Sequence, residues 1–176
     1  MMIPFNTPIP MAMAPGWLRH VADEWRRWQA RPRPEPSKVR ASLDEGVGES
    51  SSLRIVDGVA IIPVRGPLFN AEGEFAEFLA AIFGATTYTL INSRLDMARD
   101  SADVRSVFLS IDSPGGDVAG LGATMDRIFA LRALKPVTAH GENLCASAAA
   151  FLASQATRRT ATATTEIGSL GVRTTL

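Results

Sequence analysis

The sequence predicts an α/β fold with a largely parallel sheet, preceded by an N-terminal helix and a linker. From residue 53 onward, apolar runs of strand length alternate with segments in which apolar residues recur at helical spacing. This β-α-β-α-β order is typical of parallel sheets whose strands are joined by right-handed crossovers. Before residue 53, a stretch rich in proline, glycine and serine separates these elements from one amphipathic segment. The change in composition therefore divides the chain into two regions.

The composition is that of one globular domain with a hydrophobic core. The chain has 176 residues, 46% of them hydrophobic, and Lys+Arg and Asp+Glu each number 18. A net charge of zero gives no indication of nucleic-acid binding. The single cysteine, Cys145, excludes an internal disulfide and a cysteine-based zinc site, and the two histidines, His20 and His140, are far apart. We therefore expect no metal and no cofactor.

The sequence also predicts where the protein resides. No apolar run is long enough to span a membrane. The first residues lack the basic segment that precedes the apolar core of a signal peptide. We therefore expect a cytoplasmic protein without a transmembrane segment.

Residues 1–52 are predicted to form an N-terminal arm. Tryptophans and a valine recur at helical spacing over residues 17–30, which predicts an amphipathic helix. This helix either packs on the main domain or a neighbouring subunit, or binds a partner, since tryptophans favour interfaces. Residues 31–52 are predicted to be a linker, because prolines end the helix and a polar Gly/Ser-rich stretch follows. The arm could be a prosegment, a docking arm or disordered.

Residues 53–176 are predicted to form the compact domain. Asp57-Gly58 lies between two apolar runs and predicts a hairpin, because both residues tolerate the positive φ of a tight turn. In chain order, the elements that follow are a break at Gly66-Pro67, a helix or apolar flap over 70–86, a helix over 87–99, a strand over 104–111, a helix over 116–134, a strand over 136–140, a helix over 145–154 and a strand around 160–163. The helix over 116–134 is expected to bury Val118, Leu121, Met125, Ile128 and Phe129.

Two of the predicted strand ends carry candidate chemistry. The turn Ser113-Pro114-Gly115-Gly116-Asp117 follows a buried strand and presents backbone N–H groups that can hold an anion, a phosphate or an oxyanion. The second turn, residues 141–147, ends at Ser147, which lies between alanines at the predicted start of a helix. Because the carboxyl ends of parallel strands meet at one edge, we expect the two turns to converge. Taken alone, a serine among alanines is most often a packing residue.

Three blocks of the sequence together resemble a known family. Residues 113–118, 146–149 and 165–172 are similar to the signature blocks of signal peptide peptidase A, and in particular to the phage head-maturation (prohead) proteases of that family. The resemblance runs from about Leu53 to Val172, and three blocks in order are a specific signal. It implies the Clp/crotonase-like α/β spiral, an assembly into homo-oligomeric rings and a serine endopeptidase of the Ser–Lys kind.

The resemblance also implies a role for each matching residue. Ser147 corresponds to the nucleophile that attacks a peptide carbonyl. The backbone N–H groups of Gly116 and Ala148 correspond to the oxyanion hole, with Gly115 in the same turn. Ser169 corresponds to the serine that orients the general base. The substrate would be a polypeptide bound as an added strand beside the glycine turn.

The chain departs from the family pattern at the base. The family's lysine lies well after the Gly-Ser-Leu-Gly block, whereas this chain ends at Leu176 and has no lysine after Lys135. Lys135 is expected to be a solvated surface residue and His140 a strand-end side chain. The domain is thus expected to be C-terminally incomplete, as a truncated gene or a fragment would be. The alternative is a catalytically silent assembly subunit or a decayed prophage remnant.

Other functions fit the sequence less well. The missing transmembrane segment favours capsid or scaffold proteins, in the phage prohead, over signal-peptide fragments as substrates. A crotonase-type acyl-CoA enzyme would need catalytic glutamates, and Glu142 and Glu166 carry no matching motif. A phosphate-binding loop is disfavoured, because the Gly115-Gly116 turn lacks the Gly-Lys-Ser/Thr pattern.

Overall fold

A computed structural model describes residues 23–27, 29–30 and 53–172 of the chain. The chain divides into two units, Met1–Pro34 and Glu35–Leu176, and each is considered by itself. In the first unit, residues 23–27 and 29 are helical. They fall within the helix expected over 17–30, of which residues 17–22 and 28 lie outside the described part. The linker expected over 31–52 and residues 173–176 also lie outside it.

Strands form the framework of the second unit. Their bounds are β1 (Arg54–Val56), β2 (Val59–Arg65), β3 (Leu68–Phe69), β4 (Thr86–Thr87), β5 (Ser106–Ser113), β6 (Val137–Ala146), β7 (Arg158–Ala161) and β8 (Glu166–Gly168). Within residues 53–172, six of them form one sheet in the order β1-β2-β5-β6-β7, with β8 also paired to β6. Only the β1–β2 pair of this sheet is antiparallel. The predicted α/β fold with a largely parallel sheet is therefore confirmed.

The remaining two strands, β3 and β4, pair in parallel as a small separate sheet. Within residues 53–172, segments with apolar residues at helical spacing form four helices: α1 (Gly73–Phe83), α2 (Tyr88–Asp100), α3 (Leu121–Leu131) and α4 (Ala148–Ser154). Helices α2, α3 and α4 pack on one another and on the central strands, and the buried aliphatic side chains between them form one core. The alternating burial of β2 shows which face of the sheet this core occupies: Ala60, Ile62 and Val64 point into it.

Local sequence chemistry explains two of the predicted turns. Asp57 and Gly58 both have positive φ, 50° and 78°, as a tight hairpin between β1 and β2 requires. Gly66, also at positive φ, ends β2 at the predicted break. The segment 70–86, for which the sequence left a helix or a flap open, contains α1. Thr87 caps α2, because its hydroxyl accepts a hydrogen bond from the Leu90 N–H at 3.2 Å.

The helix expected from Gly116 begins later, at Leu121, and two of its expected core residues are exposed. Val118 is 57% exposed and Phe129 is 52% exposed, so their predicted burial is wrong. The buried face of α3 is formed by Thr124, Ile128 and Leu131, which follow one another at helical spacing. Phe129 lies off this face. Its ring packs under the guanidinium of Arg132, 3.9 Å from the ring centroid.

The helix expected from Cys145 also begins later than predicted. Strand β6 continues to Ala146, because β8 pairs with its last three residues, and α4 begins at Ala148. Gly141 is therefore a strand residue and not the start of a turn. The helix boundary moves closer to Ser147, which is now the residue that joins β6 to α4.

Lys135 differs from the solvated surface residue that the sequence suggests. Its ammonium group donates to the carbonyl oxygens of Ala98 and Ser101, each at 2.7 Å. These carbonyls end α2, where a cation is favourable because the last carbonyls of a helix are unpaired and carry partial negative charge. Lys135 therefore stabilises the end of α2, beside the amino end of β6.

Candidate active site

The Pro-Gly-Gly turn after β5 is held by a strand of the small sheet. The Leu68 N–H donates to the Gly115 carbonyl at 2.9 Å, and the Leu68 carbonyl accepts from the Asp117 N–H at 2.9 Å. The two peptide groups on either side of Gly116 are thus bonded to the same residue. In a trans peptide the N–H points opposite to the C=O. The Gly116 N–H therefore points away from β3, free of the pairing that holds the turn.

Ser113 braces the same turn from inside the protein. Its side chain is fully buried. The hydroxyl accepts from the Gly115 N–H at 3.1 Å and donates to the Gly66 carbonyl at 2.7 Å. Both hydrogen-bonding roles of the hydroxyl are satisfied, as burial requires. Ser113 therefore links the end of β2 to the glycine turn and is unsuited to act as a nucleophile.

Ser147 lies on a strained junction between a strand and a helix. Its backbone has φ 50° and ψ −125°, a conformation that L-residues rarely adopt. The strain is maintained by hydrogen bonds on both sides: the Ser147 N–H donates to the Gly168 carbonyl at 2.9 Å, and the Ser147 carbonyl accepts from Phe151 at 3.1 Å. A serine on a sharp strand-to-helix turn resembles the nucleophile elbow of hydrolases, which exposes the hydroxyl at the top of a sheet.

The glycine turn lies against the junction at Ser147, which is the convergence that the sequence predicted. A Cβ built on Gly115 would lie 2.6 Å from the Ala148 nitrogen and 2.7 Å from Ser147 Cβ. Such distances are shorter than any real contact, so only glycine lets the two backbones approach this closely. Ala148 is the first residue of α4, and its N–H is among those that a helix leaves unpaired. Ala148 therefore has a backbone donor next to Ser147, and Gly116 follows Gly115 in the turn that packs against both residues.

Ser169 is brought next to Ser147 by strand pairing. In the parallel β6–β8 pair, Ala146 lies opposite Gly168, so the two serines follow the paired residues at adjacent strand ends. Neighbouring strands are about 4.8 Å apart. Ser169 also has a positive φ, 52°, and is exposed. The sites predicted from the three sequence blocks therefore lie together at one end of the sheet.

An irregularity in the β5–β6 pair shapes the approach to Ser147. The pairing shifts between Ile111 and Ser113, which leaves strand β6 partly unpaired there. The Asp112 carboxylate fills the gap, accepting from the Leu144 N–H at 3.1 Å and from the Asn143 side chain at 2.8 Å. Bulges of this kind are common beside active sites, where they redirect a strand. Asp112 holds β6 in place just before the elbow.

Glu142, which a crotonase-type enzyme could use as a catalytic glutamate, is hydrogen-bonded to two other side chains. The Arg65 guanidinium donates to its two carboxylate oxygens at 2.7 and 2.6 Å, and the Ser110 hydroxyl also donates to it. The hydrogen bonds from Arg65 are the main reason why the pKa of Glu142 lies below its usual range, against the opposing effect of burial. Glu142 is thus an ionised partner of Arg65. Glu166, on β8, is exposed.

This ion pair predicts a pH dependence of stability. Because the folded-state pKa of Glu142 is lowered, its contribution is fully present above the ordinary pKa of 4.5 and is lost as the pH falls through the folded-state pKa. We expect Glu142→Gln to lower the free energy of unfolding at pH 7 by only about 1 kcal/mol, because both side chains of the pair are about one-third exposed and screened by water. Urea unfolding of both proteins from pH 7 to pH 3 measures this difference.

The difference between wild type and Glu142→Gln should shrink as the pH falls below 4.5. Glu166→Gln is the matched control and should change stability little at any of these pH values, since its side chain is exposed on β8. A difference that stays constant between pH 7 and pH 3 would contradict this assignment.

Lys135 and His140, the lysine and the histidine of residues 53–172, lie away from Ser147. His140 is seven residues before Ser147 on the same strand, which corresponds to roughly 20 Å at the rise of a β-strand. Its Nδ1 contacts the Thr160 hydroxyl at 2.9 Å and its ring stacks on Phe108. Lys135 precedes β6 altogether. Within residues 53–172, neither a lysine nor a histidine is placed to take the proton of Ser147.

Other chemistry finds no support in the described residues. Cys145 is buried, and burial raises the pKa of its thiol, which makes it a poor nucleophile. The residues that the structure describes contain no group of three or more histidine, cysteine or acidic side chains suited to a metal. Their helices are also too short or too polar to cross a bilayer.

Comparison with curated proteins identifies relatives of phage origin. The head-tail preconnector protein GP5 of Enterobacteria phage P21 is 43% identical over 119 residues, which are 68% of this chain and 23% of that protein. The capsid assembly protease C of Escherichia phage lambda is 36% identical over 129 residues, 73% of this chain and 28% of that protein. The chain is similar in sequence to both of these phage proteins. It spans about a quarter of the length of these two relatives.

The fold of the chain is also found among solved structures. An enoyl-CoA hydratase from Polaromonas sp. JS666 aligns with a TM-score of 0.50 at 18% identity, covering 66% of this chain and 49% of that one. At this identity the likeness shows the crotonase-like fold alone, which confirms the predicted fold. No family model matches the chain. The suspected resemblance to phage prohead proteases is confirmed by the curated relatives.

The sequence predicted that Ser147, Ser169 and the glycine turn lie at one end of the sheet, but it did not reveal the residues that hold them there. Leu68, Ser113 and Asp112 act through hydrogen bonds to segments far away in the chain. Ser113 was named only as part of the turn, although a serine immediately before a Pro-Gly-Gly turn is a signal for side-chain bonding to the turn backbone. The contribution of Leu68 uses backbone atoms alone, so no side-chain signal could have revealed it.

Proposed function

We propose that the chain carries the nucleophile and the oxyanion hole of a serine endopeptidase of the Ser–Lys kind, acting on phage capsid or scaffold proteins in the prohead. The observation that carries the proposal is the strained backbone of Ser147 packed against the Gly115-Gly116 turn. An observed strain at a site of this shape is a reason to infer function. The kinship with a capsid assembly protease supports the substrate class. In this proposal the protein assembles into a homo-oligomeric ring.

In this proposal each residue of the site has its own role in the reaction. Ser147 Oγ forms a bond to the carbonyl carbon of the substrate while a neutral base takes its proton. The N–H groups of Gly116 and Ala148 stabilise the negative charge that develops on the carbonyl oxygen. The carbon–nitrogen bond then breaks, the amine product leaves with that proton, and water hydrolyses the acyl-enzyme. Ser169, at the adjacent strand end, orients the base.

We place the base outside the described residues. Within residues 53–172 the only lysine bonds to the end of α2, and His140 is too far along β6. The chain covers only about a quarter of the length of its relatives, so most of their residues have no counterpart here. A lysine that is not among the described residues, placed beside Ser169, would complete the Ser–Lys pair with Ser147.

A fluorophosphonate probe tests the proposal on Ser147 directly. The 176-residue chain is expected to become phosphonylated at Ser147, slowly, and faster as the pH rises, since without a base the reaction depends on hydroxyl deprotonation. Intact mass and peptide mapping identify the modified residue. Ser147→Ala should abolish labelling. Ser154→Ala, at the end of α4, should label like wild type, because the Ser154 hydroxyl donates to the Phe151 carbonyl. Labelling at a residue other than Ser147, or no labelling, would contradict the proposal.

A second candidate function is a catalytically silent assembly subunit. The observation that favours it is the absence, within residues 53–172, of a base beside Ser147. On this alternative, Ser147→Ala leaves both probe reactivity and binding to capsid proteins unchanged. The probe experiment therefore separates the two functions, because only the peptidase predicts a Ser147-dependent adduct.

A further inference from the structure

The single tyrosine of the 176 residues lies against the segment that follows the glycine turn. Tyr88 begins α2 and is 1% exposed. Its hydroxyl donates to the carbonyl oxygen of Asp117 at 2.6 Å. Its ring packs on Gly120, where an added Cβ would lie 2.9 Å from the ring edge. One buried side chain thus contacts both ends of the segment from Asp117 to Gly120.

Asp117 is bonded through its N–H, its carbonyl and its carboxylate. The N–H donates to the Leu68 carbonyl at 2.9 Å, and the carboxylate accepts from the Asn70 N–H at 3.0 Å. Both of these partners belong to β3 or the residues just after it. The Tyr88 hydroxyl is the partner that comes from the hydrophobic core. It therefore connects the exposed side of the turn to the rigid part of the domain.

The environment of Tyr88 keeps its hydroxyl a hydrogen-bond donor. Burial, with a smaller effect from Asp117, raises the pKa of the phenol above its usual range. A buried hydroxyl without a partner is costly, so the bond to the Asp117 carbonyl is favoured. The carbonyl it holds is one residue from Gly116, whose N–H is the proposed oxyanion donor.

We propose that Tyr88 is a positioning residue for the oxyanion turn, fixing the Asp117–Val118 peptide, one residue beyond Gly116, so that the Gly116 N–H is already aimed at the reacting carbonyl oxygen. The inference rests on the proposed function, because it assigns Tyr88 to a donor of that site. A donor that is held in place before reaction costs no reorganisation, whereas a mobile one loses much of its stabilising effect.

The test uses Tyr88→Phe in the 176-residue chain, which removes the hydroxyl and keeps the ring. We expect the maximal rate of Ser147 phosphonylation to fall about tenfold, while the probe concentration for half-maximal rate stays within twofold of wild type. Lys135→Met is the matched control, because it weakens the opposite end of the same helix without contacting the turn. Its phosphonylation rate should stay within twofold of wild type. An unchanged rate in Tyr88→Phe, or an equal fall in the control, would overturn the proposal.

Amide hydrogen exchange separates this inference from the proposed function. Tyr88→Phe should accelerate exchange over residues 114–120 several-fold and leave β5 unchanged. If the wild type is never phosphonylated but exchange changes in this way, the peptidase fails and Tyr88 still holds the turn. Unchanged exchange over residues 114–120 overturns the assignment whatever the labelling shows.

A second variant covers the case in which Tyr88→Phe does not fold. Because the 176 residues contain one tyrosine, growth on 3-fluorotyrosine modifies Tyr88 alone. The fluorine resonance is expected to shift when Ser147 is phosphonylated. The adduct oxygen would accept a hydrogen bond from the Gly116 N–H, one residue before the Asp117 carbonyl that Tyr88 holds. A resonance that is the same before and after complete phosphonylation would contradict the coupling.

Discussion

Gly116→Ala is expected to lower the free energy of unfolding by about 3 kcal/mol and to abolish phosphonylation of Ser147. A Cβ on Gly116 would lie 1.9 Å from the Leu68 carbonyl oxygen and 2.7 Å from the Leu68 nitrogen. These are backbone atoms, so no side chain can rotate out of the way. Strand β3 would have to leave the turn, and both hydrogen bonds from Leu68 would be lost with it.

Urea unfolding and the probe reaction measure the two effects of Gly116→Ala. Gly122→Ala is the matched control, because Gly122 lies inside α3 and an added Cβ there meets nothing within 4 Å. That control should gain about 0.5–1 kcal/mol, since alanine restricts the unfolded chain and favours the helix. A Gly116→Ala protein as stable and as reactive as wild type would show that β3 does not hold the turn.

Ser147→Gly is expected to remove all probe reactivity and yet to be more stable than Ser147→Ala by about 1 kcal/mol. Both changes delete the hydroxyl, so neither protein has a nucleophile at this position. Only glycine relieves the backbone strain at φ 50° and ψ −125°, because it has no Cβ. Thermal unfolding of the two variants, compared with wild type, measures the strain stored at the elbow.

The control for the strain is Ser154→Gly in the last turn of α4. Ser154 lies in a regular helix, so Ser154→Gly should be less stable than Ser154→Ala by about 1 kcal/mol. The sign of the glycine effect should therefore be opposite at the two serines. If Ser147→Gly is less stable than Ser147→Ala, the elbow is not strained and the reason for assigning the nucleophile by its backbone disappears.

The sequence predicted the parts of this structure that depend on local chemistry. Asp57-Gly58 is typical of a hairpin turn, the apolar run of β5 is typical of a buried strand, and Gly115 has the positive φ that favours glycine. The convergence of Ser147 with that turn followed from a general property of parallel sheets. Those features needed no knowledge of distant contacts.

The parts that the sequence did not predict depend on contacts between distant segments. Helix α3 starts late because Leu68, far away in the chain, holds the turn residues in an extended form. Lys135 was judged by its neighbours in sequence, whereas its partners lie at the end of α2. The exposure of Phe129 depends on which helical face meets the core, and apolar spacing alone allowed two faces. The roles of the site residues remain predictions for the experiments above.

The register of the β6–β8 pair determines the distance between Ser147 and Ser169. A shift of β8 by one residue would move Ser169 by about 3.3 Å and turn its side chain to the other face of the sheet. The hydroxyls of Thr162 and Thr165 bond to the carbonyls of Glu142 and Gly141 just before β8 begins, at 3.0 and 2.9 Å. The loop that contains Thr162 and Thr165 is therefore anchored to β6, and its length determines where β8 begins to pair with β6. An insertion there would leave both serines intact and separate them.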